Sequence, residues 1–319
     1  MAHGILDSTA GPRSPLAGTT LEQVLGEGRF AVTAEITPPR GSDPEYLRRK
    51  ALVLRGFVDA VNLTDNPAAR VAMSSLASAL ILKQTGVEPV LQVQTRDRNR
   101  LAIQGDLLGA SALGINNLLC LGGDPIHIGS DPTAKAVHDL DASQLIALAR
   151  QLRDEGRDFG GDEVKPRPDF LIAGTCNPFG GSVEIALNLL EAKLDAGADF
   201  FQTQAVFDVE RFASFLDAAR GRGLLPRAKI LAGVIPVKSA KMAHHLVEKI
   251  PGIVFPDGAL ARFDEAPDAA ALGVSWAVET LQALHKLRGI SGVHVMAIHW
   301  EEKVGQILTQ AGISPRSLA

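Results

Sequence analysis

The sequence is short of several things, and each shortage closes a class of function. It has two cysteines, Cys120 and Cys176, in 319 residues. Two thiols do not make a disulfide framework, so a reducing, cytoplasmic setting is the default. Both lie in apolar, strand-like runs, where a small buried hydrophobe is the plainer reading and a catalytic thiol the other. There is no excess of positive charge: the net charge is −4 and the pI near 6.1. That leaves no electrostatic footprint for nucleic acid, and "RDRNR" (96–100) reads as a segment that caps or flanks a helix. No run of 18 or more apolar residues appears, so no membrane span is expected. The opening "MAHGILDSTAGPRSPLAGTT" lacks a basic stretch followed by a continuous apolar one, so it does not read as a signal peptide. Its Gly, Pro, Ser and Thr predict a flexible arm over 1–21, followed by one domain over 22–319.

What is present suits a large core, since 46% of residues are hydrophobic and 21% charged. Short apolar runs alternate with helical patterns. The predicted strands are 30–37, 58–64, 88–95, 116–123, 169–177, 199–204, 229–236 and 292–299. Most are near-continuously apolar, as strands buried on both faces should be. Between them lie helical stretches at 43–56, 70–85, 98–113, 142–155, 182–196, 208–222, 239–250 and 267–289. Ser42, Ser182 and Ser239 are cap-type residues at three starts. Gly56, Gly86, Gly114, Gly156 and Gly197 follow near five ends. Eight strands, each followed by a helix, predict a single-domain α/β fold, the (β/α)8 TIM barrel. A doubly wound nucleotide fold would want a G-x-G-x-x-G loop after the first strand, and "EITPPRG" is not one. The connections 124–141, 156–168 and 252–266 are long and irregular, and long loops over a barrel's C-terminal face commonly carry ligand contacts.

Active sites of this fold gather where strands end. Those ends supply Glu35, Asn62, Thr64, Gln92, Gln94, Thr95, Asp124, Asn177, Gln202, Gln204 and His299. The ring is rich in amides and poor in formal charge. Amides donate and accept, which matches the edge of a pterin or flavin. No metal is expected, because His127, His138, His244 and His245 do not form a cluster at ligand spacing. No strand end carries the lysine a Schiff-base aldolase requires. Glu35 and Asp124 follow apolar runs, so some burial is expected of both. Each could simply close a turn, and two such acids at strand ends leave that reading and a functional one level.

At this point "AEITPPRG", "VDAVNLTDNP", "LLCLGGDP", "AKLDAGADFFQTQAVFD" and "LAGVIPV" resemble, in order and spacing over roughly 22–310, the methylenetetrahydrofolate reductase family. The variants are closest to the branch of acetogens and of fused reductase–methyltransferase proteins. The resemblance implies a barrel with a flavin, FAD or alternatively FMN, that reduces 5,10-methylenetetrahydrofolate to 5-methyltetrahydrofolate in one-carbon metabolism and methionine biosynthesis. It implies that Glu35 is the general acid and that Asp124 contacts the pterin and stabilises the cation formed on it. It implies that Gln204 binds folate, and that Thr64, Gln92, Asn177 and Lys193 contact the flavin. A general acid working near neutral pH is favoured by burial, which disfavours a charged carboxyl.

The chain also departs from the family pattern. "TQAVFD" replaces "TQFFFD", and Ala240 stands where a phenylalanine helps hold the nicotinamide donor and the folate. Gly122, Ala186 and Leu189 replace polar flavin contacts. Trp300 replaces a folate-contacting arginine and is carried here as a substrate-binding position. These changes leave open whether NAD(P)H is the direct donor and whether flavin is bound, since some branches are flavin-free. They also suggest a separate zinc- or iron–sulfur electron-transfer partner. Two cysteines are too few for the chain's own cluster. The alternative is a folate- or pterin-binding barrel subunit that acts only with a redox or methyltransferase partner. A homo-oligomer is compatible with all of these readings.

Overall fold

In the computed structural model, which describes residues 17–316, eight parallel strands close into a barrel with strand order β1 to β8. In chain order the elements are α1 (Thr20–Gly26), β1 (Ala31–Ile36), α2 (Pro44–Leu54), β2 (Ala60–Leu63), α3 (Ser75–Lys83) and β3 (Pro89–Gln94). Next come α4 (Arg100–Ala112), β4 (Asn117–Leu121), α5 (Ala142–Arg150), β5 (Leu171–Cys176), α6 (Val183–Ala196) and β6 (Phe200–Ala205). The chain continues with α7 (Val209–Gly221), β7 (Lys229–Val234), α8 (Ala240–Lys249), α9 (Ala259–Glu265), α10 (Ala269–Lys286), β8 (Gly292–Val295) and α11 (Val304–Gln310). The (β/α)8 barrel expected from the sequence is therefore the fold. Strand β8 pairs with β1, Thr33 opposite His294, which closes the ring.

Both faces of each strand are covered, which explains the continuous apolar runs. Outward residues such as Val32, Ile36, Val61 and Ile172 pack under the helices in the main core. Inward residues at the floor, including Ala31, Ala60, Val90, Leu119, Phe200 and Leu231, form a second apolar cluster. Helix α1 closes that floor with Leu21, Val24 and Leu25. Each such side chain contributes about 1.5–3 kcal/mol by leaving water.

Local chemistry sets most boundaries. Ser182 and Ser239 cap α6 and α8 as expected. Helix α2 is capped by Asp43, with Pro44 in its first turn, and not by Ser42. Gly197 ends α6 at φ 113°, and a Cβ there would lie 2.3 Å from Arg150 Cδ. Strand β8 stops at Val295, four residues short of its expected end, because Ile298 and His299 take left-handed φ of 46° and 61°. The segment 252–266, expected to be irregular, contains α9. Of the expected arm, residues 1–16 lie outside the described residues. Ala17 is buried, and Thr20 and Leu21 already belong to α1. Among the described residues no helix is long and apolar enough to cross a membrane.

Candidate active site

Glu35 occupies the last inward position of β1, its side chain 21% exposed at the barrel mouth. Gln92 on β3 donates from Nε2 to Glu35 Oε2 at 2.8 Å. The two residues expected at strand ends are thus brought together. Below them lies a buried polar layer: Thr33, Asn62, Gln202 and His294. His294 Nε2 is 3.8 Å from Glu35 Oε2. Sequence reading missed His294, because it sits inside the apolar run "GVHVMAI" and the strand was extended past it. The signal available was its alternation with Gly292 and Met296, which marks it as inward-facing.

Asp124 departs from expectation, because it is exposed. Its Oδ2 accepts the Ala68 N–H at 2.7 Å. Ala68 belongs to the turn after β2, where Asn66, Ala68 and Ala69 have φ of 43°, 52° and 52°. The loop after β4 is thereby latched to the loop after β2. Ser130 N–H adds a bond to Ala69 O at 3.2 Å, and Arg100 fixes the far end of the loop through Nε to Asp139 Oδ2 at 2.8 Å. All six non-glycine residues with left-handed φ lie in the loops after β2, β4 and β8 among the described residues. Strain of this kind concentrates where a fold holds a functional shape.

Beneath these loops runs a charged network that the reading of "RDRNR" as a helix flank did not foresee. Arg96 is 2% exposed and ties Asp97, Asn66 O and Asp124 O together. Burial works against the Asp97 charge, but hydrogen bonds from Arg96 and Asn66 hold its carboxyl below the usual range. Asp65 is pushed the other way: burial raises it, although Arg98 and the Gln94 N–H oppose the shift. Gly123 passes so close over this network that a Cβ would sit 2.1 Å from Gln94 Oε1.

The remaining expected residues divide. Thr64 is buried at the end of β2 and its Oγ1 has no partner; Gln94 Oε1 is likewise unpartnered. Buried oxygens without a partner are uncommon, and these two lie at the ends of the paired strands β2 and β3. Asn177 accepts the Phe179 N–H at 3.1 Å and packs against Gly180 and Gly252. Lys193 reaches from α6 to the top of β5, where Nζ donates to Thr175 O at 2.6 Å. Burial holds its ammonium below the ordinary lysine range. Gln204 lies at a register shift between β6 and β7, and its Nε2 donates to Pro251 O at 3.2 Å. Trp300 lines a groove of about 480 Å³ with Val274, Val278 and Gln306 of α10 and α11, away from the polar ring. Cys120 and Cys176 are buried, and burial pushes both thiols up to about 12. They are structural, as their apolar runs suggested.

Comparison with known proteins bears on this arrangement. The profile of the methylenetetrahydrofolate reductase family matches residues 20–312. The 5,10-methylenetetrahydrofolate reductase of Pectobacterium carotovorum is 25% identical over 308 residues, covering 92% of this chain and 95% of that protein. Methylenetetrahydrofolate reductase (NADH) 1 of Arabidopsis thaliana is 28% identical over 214 residues, covering 64% of this chain and 34% of that protein. The chain spans half or less of the eukaryotic relatives it matches, from 34% to 50% of their length. Among solved structures, a Clostridium thermocellum protein described as binding two copies of 5-methyl-5,6,7,8-tetrahydrofolic acid superposes with a TM-score of 0.65 at 16% identity. The superposition covers 92% of this chain and 98% of that one, and it shares the fold. A profile match across the whole barrel, with the quoted strand-end motifs inside it, places the chain in the methylenetetrahydrofolate reductase family.

Proposed function

We propose that the chain reduces 5,10-methylenetetrahydrofolate to 5-methyltetrahydrofolate at the barrel mouth. The observation that supports this best is Glu35, half-buried at the end of β1 with one carboxyl oxygen held by Gln92. The other oxygen is free to carry a proton to N10 of the folate. The bond from N10 to the bridging carbon then breaks with its electrons on N10, leaving an iminium cation at N5. Asp124 supplies a fixed negative charge for that cation. Because Asp124 is exposed, its effect depends on ligand excluding water. Two charges 4 Å apart interact by roughly 1 kcal/mol in water and about 4 in a protein-like surrounding.

The donor set fits the ring system of a flavin. Thr64 Oγ1 and Gln94 Oε1 are buried polar atoms without a partner, and Gln92 and Asn177 stand at the C-terminal ends of β3 and β5. A bound flavin would supply the hydride. Lys193 is already spent on Thr175, so it offers less to a pyrophosphate than the family pattern implies. That observation favours FMN or direct transfer from a nicotinamide as the second reading, beside FAD.

The electron donor is proposed to come through a separate zinc- or iron–sulfur protein. The stretch "QAVF" (204–207) presents no aromatic surface to the mouth. Ala205 and Val206 are buried, and Phe207 packs at a tilt against Phe255 and Trp276, with ring centroids 4.4 and 5.1 Å away. Losing one aromatic stack costs roughly 0.5–1.5 kcal/mol, about tenfold in affinity, which means slow reduction by NADH and not none. Two measurements test the proposal: the absorption spectrum of the purified protein with identification of any extracted flavin, and anaerobic stopped-flow with NADH. Folate reduction that persists unchanged in Glu35→Gln would remove the proposal's basis.

A further inference from the structure

The polar layer beneath Glu35 forms one continuous chain of hydrogen bonds. Asn62 Nδ2 donates to Gln202 Oε1 at 2.7 Å, and Gln202 Nε2 donates back to Asn62 Oδ1 at 3.1 Å. The same Gln202 Nε2 gives its second hydrogen to Thr33 Oγ1 at 3.2 Å. The Thr33 hydroxyl, already accepting, lies 2.9 Å from His294 Nδ1. That hydroxyl has one hydrogen and two lone pairs, so it can either donate to Nδ1 or accept from it. The carboxyl chooses between the two. Nε2 faces Glu35 Oε2 at 3.8 Å, and a ring lone pair aimed at a carboxylate oxygen repels it, whereas an N–H attracts it. The ring proton therefore sits on Nε2, and Thr33 donates to Nδ1, which completes the chain. The layer is sealed: Thr33 and Asn62 are fully buried, Gln202 and His294 nearly so.

We propose that His294, held as the Nε2–H tautomer, is a positioning residue for Glu35, and that the proton Glu35 gives up is restored from the barrel mouth and not through His294. This rests on the proposed role of Glu35 as proton donor. Two N–H groups face Oε2, from Gln92 and from His294, so Oε1 is the oxygen that carries the proton. After transfer both groups face the carboxylate and stabilise it. No proton follows from below, because the chain ends on two amides bonded to each other, which release none at neutral pH. Glu35 from β1 and His294 from β8 are the titratable groups that meet here. Strands β2, β3 and β6 bring Asn62, Gln92 and Gln202, β1 adds Thr33, and β7 brings Gly233. Each turnover therefore takes one proton from the mouth side.

The tautomer can be read without turnover, by NMR of the full chain labelled with 15N-histidine. The signal of His294, one of eight histidines, is assigned by its loss in His294→Gln. The expected result at neutral pH is a protonated Nε2 and a bare Nδ1. Thr33→Val should abolish that fixed tautomer. A wild-type ring protonated on Nδ1 would make Thr33 the acceptor and turn a ring lone pair toward Glu35, and would overturn the proposal whatever the activity. Kinetics supply the second arm. His294→Gln, which can place an amide N–H near Nε2, should keep the wild-type pH profile of kcat/KM. His294→Leu should lower kcat on the order of tenfold with KM little changed, and move the alkaline limb of the profile to higher pH. A His294→Leu protein with wild-type kcat and pH profile also overturns the proposal. The expected tautomer in a protein that does not reduce folate would leave His294 in place and overturn the folate reading instead.

Discussion

The two ends of this barrel are made from the same strands and obey opposite rules. At the floor, Ala31, Ala60, Val90, Leu119, Phe200 and Leu231 pack against each other and against α1. At the mouth, a few residues further along the same strands, stand Glu35, Thr64, Gln92 and Gln94, two of them with unpartnered oxygens. At the floor polar groups tie α1 to the strands; the Glu88 carboxylate, for example, takes the Thr20 and Leu21 N–H groups at 2.7 and 3.0 Å. The mouth holds strained backbone and a charge latched to a turn. Stability is thus concentrated at one end and chemistry at the other, so substitutions at the two ends should separate the two properties.

The largest expected effect is at the floor. Phe200→Ala removes a fully buried ring and should cost about 3–5 kcal/mol of stability, measured by denaturant unfolding. The folded fraction should keep its activity, and a large fall in kcat would blur the division between the ends. Glu35→Gln is next. It should lower folate turnover on the order of 100-fold or more, about 2.7 kcal/mol of barrier, with the unfolding midpoint unchanged. Asp124→Asn should cost less, on the order of tenfold, because its exposed charge is screened before ligand binds. The deficit should deepen as salt is lowered; one as large as that of Glu35→Gln would make the exposed acid the dominant group. The smallest effect concerns the thiols. With burial pushing both up to about 12, Cys120 and Cys176 should not react with a thiol reagent in the native protein, and should react fully in denaturant. Prompt labelling at neutral pH would show that the wall between β4 and β5 opens.

The division also explains what the sequence disclosed. Eight buried strands announce themselves as apolar runs, and a carboxylate at the end of one stands out, so the barrel and Glu35 were legible. Gln92 was legible for the same reason. His294 was not, because a single polar residue within an apolar run gains meaning only when β1, β2 and β6 bring Thr33, Asn62 and Gln202 to its height. Register between strands is absent from any one segment. Asp124 and Gln204 sat in recognisable motifs, yet their partners, the Ala68 N–H and the Pro251 carbonyl, come from distant loops. Trp300 aligned with a folate contact, but the left-handed residues before it carry the chain off to the side of α10. The first residues of α1, Thr20 and Leu21, were read into the arm because the cap, Thr19, follows a stretch of glycines and prolines.

That helix has a consequence for how the protein is made. It precedes every strand in the chain, yet its partners include Leu231 of β7, and its Leu25 carbonyl takes a bond from Lys229. During synthesis the stopper leaves the ribosome before any part of the vessel exists. Its apolar face must wait through some two hundred residues of translation, and contacts that distant are slow to form. Within the barrel domain this helix is therefore made before the last of its partners, and until it docks on them the nascent barrel is open at the bottom.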